Sequence, residues 1–132
     1  MTDHLLPGIH AHDVSTPRLR ARVLERPAGS DATATVVFVH GNVSSSLFYQ
    51  PTMLALEPGV RALAVDLRGF GESEPLPVDA SRGLSDFADD ITSVLDALGV
   101  DKMHLVGWSM GGGIVMQLML DAPDRSLSVT LE

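Results

Sequence analysis

The stretch Leu105-Val106-Gly107-Trp108-Ser109-Met110-Gly111-Gly112-Gly113 decides the fold of this chain. An apolar run enters it from residue 103, and an apolar segment leaves it after residue 113. An apolar run on each side of a glycine-framed serine predicts a strand, a sharp turn and a helix, in that order. Three glycines in a first helical turn cost about 1 kcal/mol each relative to alanine. A local preference given up this strongly usually marks a functional site.

The five residues from Gly107 to Gly111 fit the pattern G-x-S-x-G, in which a serine hydroxyl stands clear of the backbone. The alternative is a glycine-rich helix start that only lets the helix pack closely on a strand. A second glycine pair, Gly69 and Gly71, does not begin a nucleotide-binding G-x-G-x-x-G motif, because Glu74 stands where the third glycine belongs.

Other apolar runs along the chain predict further strands. Residues 36–39, 62–65 and most of 103–108 are apolar without alternation, as strands covered on both faces are. Residues 18–24 alternate basic and mostly apolar side chains, which predicts a half-buried strand near a sheet edge with its arginines facing water. Residues 127–131 predict the start of a sixth strand.

Helical patterns separate these strands. The clearest is one apolar stripe that Gly99 should end and that Ser85 should cap. Asp86, Asp89 and Asp90 should lie near the positive end of that helix dipole. A second helix should follow Ser109, and a shorter one should occupy residues 47–56 with a first turn at a proline. Strands alternating with helices predict an α/β fold with a mostly parallel sheet. The stripe consists of Leu84, Phe87, Ile91, Val94, Leu95 and Leu98.

Composition limits the class of partner. The chain has 132 residues, 45% of them hydrophobic, which suits one compact domain. A net charge of -8 opposes binding to nucleic acid or to an anionic membrane, so neither is an expected partner. The longest apolar stretch, residues 111–116, is far shorter than the roughly 20 residues of a membrane span. The start of the chain lacks the pattern of a secretory signal, so a cytoplasmic location is the default expectation.

Metal and thiol chemistry are not expected. The sequence has no cysteine, which excludes a disulfide framework, a thiolate nucleophile and a thiolate zinc site. The run His10-Ala11-His12-Asp13 could in principle hold a metal, although its place near the amino terminus makes an ordinary strand or loop the favoured interpretation. We expect no cofactor and no metal.

The serine turn and two further segments resemble the α/β-hydrolase family. His40-Gly41-Asn42 follows an apolar strand where that family places an oxyanion loop, and residues 66–73 look like its D-x-R-G-x-G-x-S turn. The resemblance covers residues 18–132 and the amino-terminal half of a typical member. It implies a mostly parallel sheet with helices on both faces, truncated after about the sixth strand. Residues 1–132 would be the amino-terminal part of a single core domain, without the cap region and the carboxy-terminal strands.

The resemblance also implies a small-molecule substrate and a role for several residues of the site. Ser109 would be the nucleophile, and the backbone N–H groups of Asn42 and Met110 would form the oxyanion hole. Asparagine tolerates the left-handed conformations that tight loops demand, which suits position 42. The other candidates lie in the elbow or the oxyanion loop. They are the glycines Gly41, Gly107 and Gly111, the loop-orienting His40, and three aromatic residues, Phe48, Tyr49 and Trp108, which could line a pocket or belong to the core.

The general base of such a site is missing from the sequence. In this family an acid and then a histidine follow the nucleophile, and no histidine follows Ser109. His104 lies about 16 Å before Ser109 along the same strand, and His40 belongs to the oxyanion loop, so neither is a good substitute. Asp121 and Asp124 should lie at the far end of the helix. We therefore expect a downstream segment or a second chain to supply the acid and the base, and the 132-residue chain alone to be inactive.

The most favoured function is that of a serine hydrolase that cleaves an ester, a lactone or another activated carbonyl through an acyl-enzyme. Carbon–carbon bond hydrolysis and cofactor-free perhydrolysis use the same nucleophile and remain alternatives. A noncatalytic ligand-binding or receptor protein of the same fold is a third. Epoxide hydrolases and haloalkane dehalogenases of this family carry aspartate at the elbow, where this chain has Ser109.

Overall fold

Six strands form one sheet in the computed structural model, which describes residues 4–29 and 31–132. The order across the sheet is β1-β2-β4-β3-β5-β6. The three apolar runs become β4, β3 and β5, which are adjacent inner strands, as predicted. The strands are β1 His10–Ser15, β2 Arg20–Arg26, β3 Ala34–Val39, β4 Val60–Val65, β5 Met103–Gly107 and β6 Ser126–Leu131.

The sheet is parallel except at its amino-terminal side. Strand β3 pairs in parallel with β4 and β5, and β5 pairs in parallel with β6. Strand β2 pairs antiparallel with both β1 and β4, so it lies one strand inside the edge that β1 forms. Two arginines predicted to face water are partly buried instead: Arg22 on β2 holds Asp13, and Arg18, before β2, reaches Asp90. They turn inward because each finds a carboxylate partner.

Three α-helices cover the two faces of the sheet: α1 Gln50–Ala55, α2 Ser85–Ala97 and α3 Met110–Asp121. A short 3-10 turn, Ser46–Tyr49, leads into α1, and another, Ala80–Arg82, precedes α2. The predicted cap was wrong, since Ser85 is the first residue of α2 and Leu84 occupies the capping position without a side-chain bond. Gly99 ends this helix region with a φ of 71°, as predicted.

Each face of the sheet carries its own core. Helices α2 and α3 pack on one face against side chains such as Val37, Val39 and Leu63. On the other face, Tyr49 and Met53 pack against a second set. Neighbouring residues of a strand point to opposite faces, so one strand serves both cores. The second set includes Leu24, Phe38, Ala62 and Ala64.

Apolar side chains remain exposed along β6 and the adjoining helix. Leu127 and Leu131 of β6, at the sheet edge, are each more than half exposed. On α3, Met116, Met119 and Leu120 are exposed as well. Among the residues that the structure describes, no helix is long and apolar enough to cross a membrane.

Arginines from three segments meet carboxylates of α2. Arg68, in the turn after β4, donates from Nε and Nη2 to the two oxygens of Asp90, each at 2.8 Å. Arg18 donates from Nε to Asp90 Oδ1 at 2.9 Å, and Arg82 pairs with Asp86 and Asp89. Asp90 therefore fixes the turn at residues 66–73 to α2. Of the three carboxylates predicted near the positive end of the helix dipole, only Asp86 lies in the first turn, because α2 begins at Ser85.

Because Asp90 contacts two arginines, it should contribute more to stability than its neighbour Asp89. Asp90→Asn should lower the free energy of unfolding by about 3 kcal/mol, because it leaves the nearly buried Arg68 guanidinium without its counter-ion. Asp89→Asn, which disturbs an exposed pair, should cost less than about 1 kcal/mol. Urea unfolding of the two variants measures both values, and equal losses would contradict the structural role of Asp90.

Candidate active site

Ser109 occupies the turn between β5 and α3, with φ 56° and ψ -120°. Residues other than glycine rarely adopt this backbone conformation, because it costs them about 1–3 kcal/mol. Serine at a helix start usually caps the helix, but the Ser109 side chain makes no capping bond. Its backbone N–H donates to the carbonyl of Glu132 at 3.0 Å, and the residue is exposed. The hydroxyl therefore stands free of the backbone.

Three glycines let this turn approach its neighbours closely. A Cβ on Gly107 would overlap the backbone of Gly111, and a Cβ on Gly111 would overlap the carbonyl of Val39 on β3. A Cβ on Gly41 would lie 2.8 Å from Cε3 of Trp108. The end of β3, the end of β5 and the start of α3 thus meet at one point, and the loop at Gly41 lies beside the serine turn.

Two backbone donors lie free in this region. The N–H groups of Gly111 and Gly112 donate to the carbonyls of Trp108 and Ser109. Within the part of the chain that the structure describes, neither the Met110 N–H nor the Asn42 N–H has an acceptor. Met110 is the first residue of α3, where the helix dipole also favours negative charge. The two groups are of the kind that stabilises an oxyanion.

The strained residue of the loop is Val43, which corrects the expectation for Asn42. Val43 has a φ of 55°, whereas Asn42 is not among the described residues with positive φ. The Asn42 Oδ1 accepts the Val43 N–H at 3.0 Å, so the asparagine forms a local turn and the left-handed conformation falls one residue later. A β-branched residue is strongly disfavoured there, and no sequence pattern predicts valine at such a position.

His40 is fully buried below the loop, and both ring nitrogens have partners. Its Nδ1 lies 2.7 Å from the Gly41 carbonyl, and its Nε2 accepts the Leu67 N–H at 3.0 Å. A carbonyl can only accept, so the ring proton is on Nδ1. The Gly41 carbonyl and the Asn42 N–H belong to one trans peptide and point in opposite directions, so this bond also fixes the direction of the Asn42 N–H. Burial lowers the pKa of His40.

The remaining acid and base candidates lie away from the serine. His104 is on β5 five residues before Ser109, and its Nδ1 lies 2.7 Å from Ser128 Oγ of β6. Asp121 ends α3, about 18 Å along the helix from its start, and accepts a bond from Gln117. The structure does not bring either residue to Ser109.

Residues 4–29 and 31–132 contain no group of three or more His, Cys, Asp or Glu side chains that could hold a metal ion. Within the segment that could have held a metal, His12 pairs with Glu25 at 2.9 Å and Asp13 pairs with Arg22 at 3.0 Å. These contacts bind β1 to β2.

The three aromatic candidates divide into core and surface. Tyr49 is 1% exposed, donates its hydroxyl to the Val39 carbonyl at 3.3 Å, and has its pKa raised to about 12, mainly by burial. Tyr49 is therefore a core residue and does not line a pocket. Phe48 is 54% exposed and stacks on Trp108, with ring centroids 5.1 Å apart and an interplanar angle of 18°.

Asp66 supports the site in a way that the sequence did not show. Its buried carboxylate accepts the Ser46 N–H at 2.8 Å and the Glu72 N–H at 2.9 Å. It therefore ties the segment after the loop at Gly41 to the turn after β4. A Cβ on Gly71, which has a φ of 54°, would overlap the carboxylate. The D-x-R-G-x-G-x-S pattern marked Asp66 and Gly71, but their partner Ser46 lies 20 residues away in sequence.

Comparisons with known proteins agree with this fold. The profile of the alpha/beta hydrolase fold matches residues 34–132. A putative carbamate hydrolase from Variovorax paradoxus is 41% identical over 106 residues, which are 80% of this chain and 38% of that protein. A carboxylesterase from Bacillus subtilis is 32% identical over 98 residues, 74% of this chain and 33% of that protein. The solved structure of an epoxide hydrolase from an endophytic Streptomyces has a TM-score of 0.84 at 30% identity, covering 96% of this chain and 37% of its own.

The chain thus spans between about a third and two fifths of the length of the relatives that it matches.

The backbone at Ser109 predicts an unusual stability effect. Ser109→Gly should raise the free energy of unfolding by about 1–3 kcal/mol relative to Ser109→Ala, because only glycine is relaxed at φ 56° and ψ -120°. Alanine keeps the Cβ and so keeps the strain, which makes it the matched control. Denaturant unfolding of the pair measures the difference. Equal stability of the two variants would show that the turn is not strained.

The buried His40 predicts a loss of stability in mild acid. Its folded pKa lies below the usual 6.5, so between the two values the unfolded chain binds a proton that the native chain does not. The contribution of His40 to the free energy of unfolding should therefore have its full value above pH 6.5. Below that pH the free energy of unfolding should fall by at most about 1.4 kcal/mol per pH unit. Carboxylates protonate at lower pH, so the interval from about 6.5 to 5 reports on histidine.

Unfolding measured across that interval should show a smaller slope for His40→Asn than for the unmodified chain. His104→Gln, which changes a histidine paired with Ser128 at the sheet edge, is the control and should retain the slope. If the pH slope disappeared in His104→Gln and persisted in His40→Asn, the assignment of the slope to His40 would be refuted.

Proposed function

Because the chain belongs to the α/β-hydrolase fold family, we propose that it carries the nucleophile and the oxyanion donors of a serine hydrolase acting on an ester, a lactone or another activated carbonyl. The observation that carries this proposal is an exposed, uncapped serine held in a strained turn beside two unpaired N–H groups. A turn that costs stability and yields no cap is best explained by the chemistry of its hydroxyl.

In the proposed reaction, Ser109 Oγ attacks the substrate carbonyl carbon while a base takes the hydroxyl proton. The carbonyl oxygen becomes an oxyanion and accepts hydrogen bonds from the N–H groups of Met110 and Asn42. The tetrahedral intermediate then expels its leaving group, which takes the proton from the base, and an acyl-enzyme remains. Water attacks the acyl-enzyme by the same steps and releases the acid and the free serine. Removing one donor of this kind typically costs about 3 kcal/mol of transition-state stabilisation.

His40 has the role of a positioning residue in this proposal. The bond from its Nδ1–H to the Gly41 carbonyl aims the Asn42 N–H, and the Leu67 N–H holds the ring in that tautomer. With Nε2 already accepting a bond, the ring has no free lone pair with which to take the Ser109 proton.

The proposed substrates are carbonyl compounds. The names of two relatives refer to a carbamate and to carboxylic esters, and in both groups the carbonyl carbon is bonded to a heteroatom that can leave. The similar solved structure is that of an epoxide hydrolase, but family members with that activity carry aspartate at the elbow, and a serine at position 109 favours acyl transfer.

The acid and the base are proposed to come from the remainder of the fold, either a downstream segment or a second chain. The matched relatives are more than twice as long as the region they share with this chain. The exposed apolar side chains of β6 and α3 form the surface that further elements would cover. Those elements would bring a histidine to Ser109 at the same edge of the sheet.

The proposal predicts which serine reacts with an organophosphonate probe. In the complete protein, with its downstream histidine, the probe should label Ser109 selectively, and Ser109→Ala should abolish labelling. Ser44, Ser45 and Ser46, which follow the loop at Gly41, could compete for the probe, but no glycine-framed turn holds them. Peptide mass mapping identifies the labelled residue.

Labelling at another serine, or none despite an intact histidine, would reject the serine-hydrolase assignment and favour the noncatalytic ligand-binding alternative. The 132-residue chain alone serves as the companion control. It should hydrolyse p-nitrophenyl acetate no faster than its own Ser109→Ala variant, because it lacks a positioned base.

A further inference from the structure

An apolar surface follows the Asn42 donor along the chain. Val43, Leu47 and Phe48 are exposed over 90%, 37% and 54% of their surface, and they lie within six residues of one another. Clustered apolar side chains on a protein surface commonly mark a binding site. This cluster begins next to Asn42, a candidate oxyanion donor, so it is a candidate part of the site at Ser109.

The Phe48 ring is held in place although more than half of the residue is exposed. It stacks on Trp108 at 5.1 Å and meets the Tyr49 ring edge to face at 5.3 Å with an angle of 84°. Tyr49 is buried, and Trp108 packs against the loop at Gly41. Two neighbouring rings therefore hold the Phe48 ring before any ligand arrives, while 54% of the residue stays exposed, which lowers the entropy cost of binding to its exposed surface.

The segment around the ring carries no charge. Residues 42–49 contain no acidic or basic side chain, although the chain as a whole has a net charge of -8. The carboxylate that contacts the segment, that of Asp66, is buried and already accepts the Ser46 N–H. An anionic ligand would meet the overall negative field, and a cationic one would find no carboxylate among residues 42–49 themselves. The chemistry of the segment fits an uncharged apolar ligand.

We propose that Phe48 is a specificity-determining residue, whose exposed face binds a planar aromatic group attached to the carbonyl that Ser109 attacks. Such a group would continue the parallel stack of Trp108 and Phe48, and offset aromatic stacking adds stabilisation beyond the area buried. Val43 and Leu47 would contact the edge of the bound ring. The inference rests on the proposed function, since it names the substrate class of the same site: uncharged aromatic acyl compounds.

The test compares benzamide with cyclohexanecarboxamide, which share the carboxamide and the number of non-hydrogen atoms but differ in ring planarity. Calorimetric titration of the complete protein carrying Ser109→Ala should show benzamide binding about 2- to 10-fold more tightly. Phe48→Leu should remove this preference, and Phe48→Tyr, which keeps the ring, should retain it. Leu54→Ala, which shortens another exposed apolar side chain on α1, is the control and should leave the preference unchanged.

A second readout uses Trp108, the only tryptophan of these 132 residues. Its emission, identified by its loss in Trp108→Phe, should respond to benzamide more strongly than to cyclohexanecarboxamide, which keeps the inference testable if Phe48→Leu fails to fold. Equal binding of the two amides, or a preference that survives in folded Phe48→Leu, would overturn the inference. Neither amide needs a reactive serine, so selective labelling of Ser109 without a ring preference would reject this inference alone. Loss of labelling with the preference intact would reject the hydrolase, and with it the aromatic group as part of a substrate, and would leave only a ring-binding surface at Phe48.

Discussion

The start of α3 packs so closely against the ends of β5 and β3 that no side chain fits at Gly107 or Gly111. This contact fixes where the helix begins relative to the sheet. The chain must therefore turn within two residues, and Ser109 takes the strained conformation that such a turn requires. The free Met110 N–H and the exposed serine both follow from this packing constraint.

The contacts around His40 connect the loop that follows β3 to the turn that follows β4. The Leu67 N–H sets the tautomer of the ring, and the ring holds the peptide that carries the Asn42 N–H. The Arg68–Asp90 pair fixes the same turn to α2, so the helix is linked to the loop through three consecutive contacts. Preorganised donors lose little energy to reorientation during a reaction, which gives such a rigid support its value.

Backbone strain concentrates near the carboxyl ends of β3 and β5. Val43 and Ser109 are the two residues other than glycine with positive φ in the described part of the chain, and both lie in turns that follow these strands. Most of the exposed large apolar side chains lie either in residues 43–48, after the loop at Gly41, or on the surface of β6 and α3. The rest of the chain keeps its apolar residues in two well-packed cores, one on each face of the sheet.

The sequence by itself determined the inner strands, the α2 stripe with its stop at Gly99, and the position of the serine turn, because these depend on local periodicity and on glycine at fixed spacings. It also indicated the loop at His40 and the turn at Asp66 through short motifs. Only the tertiary structure decided that Tyr49 is a core residue while Phe48 is exposed, since neighbouring residues of one helical turn differ only in the surface they face. It also decided that the left-handed residue is Val43 and that Arg18 joins Asp90 across 72 positions. Such features depend on which distant segments meet, and no local pattern records that.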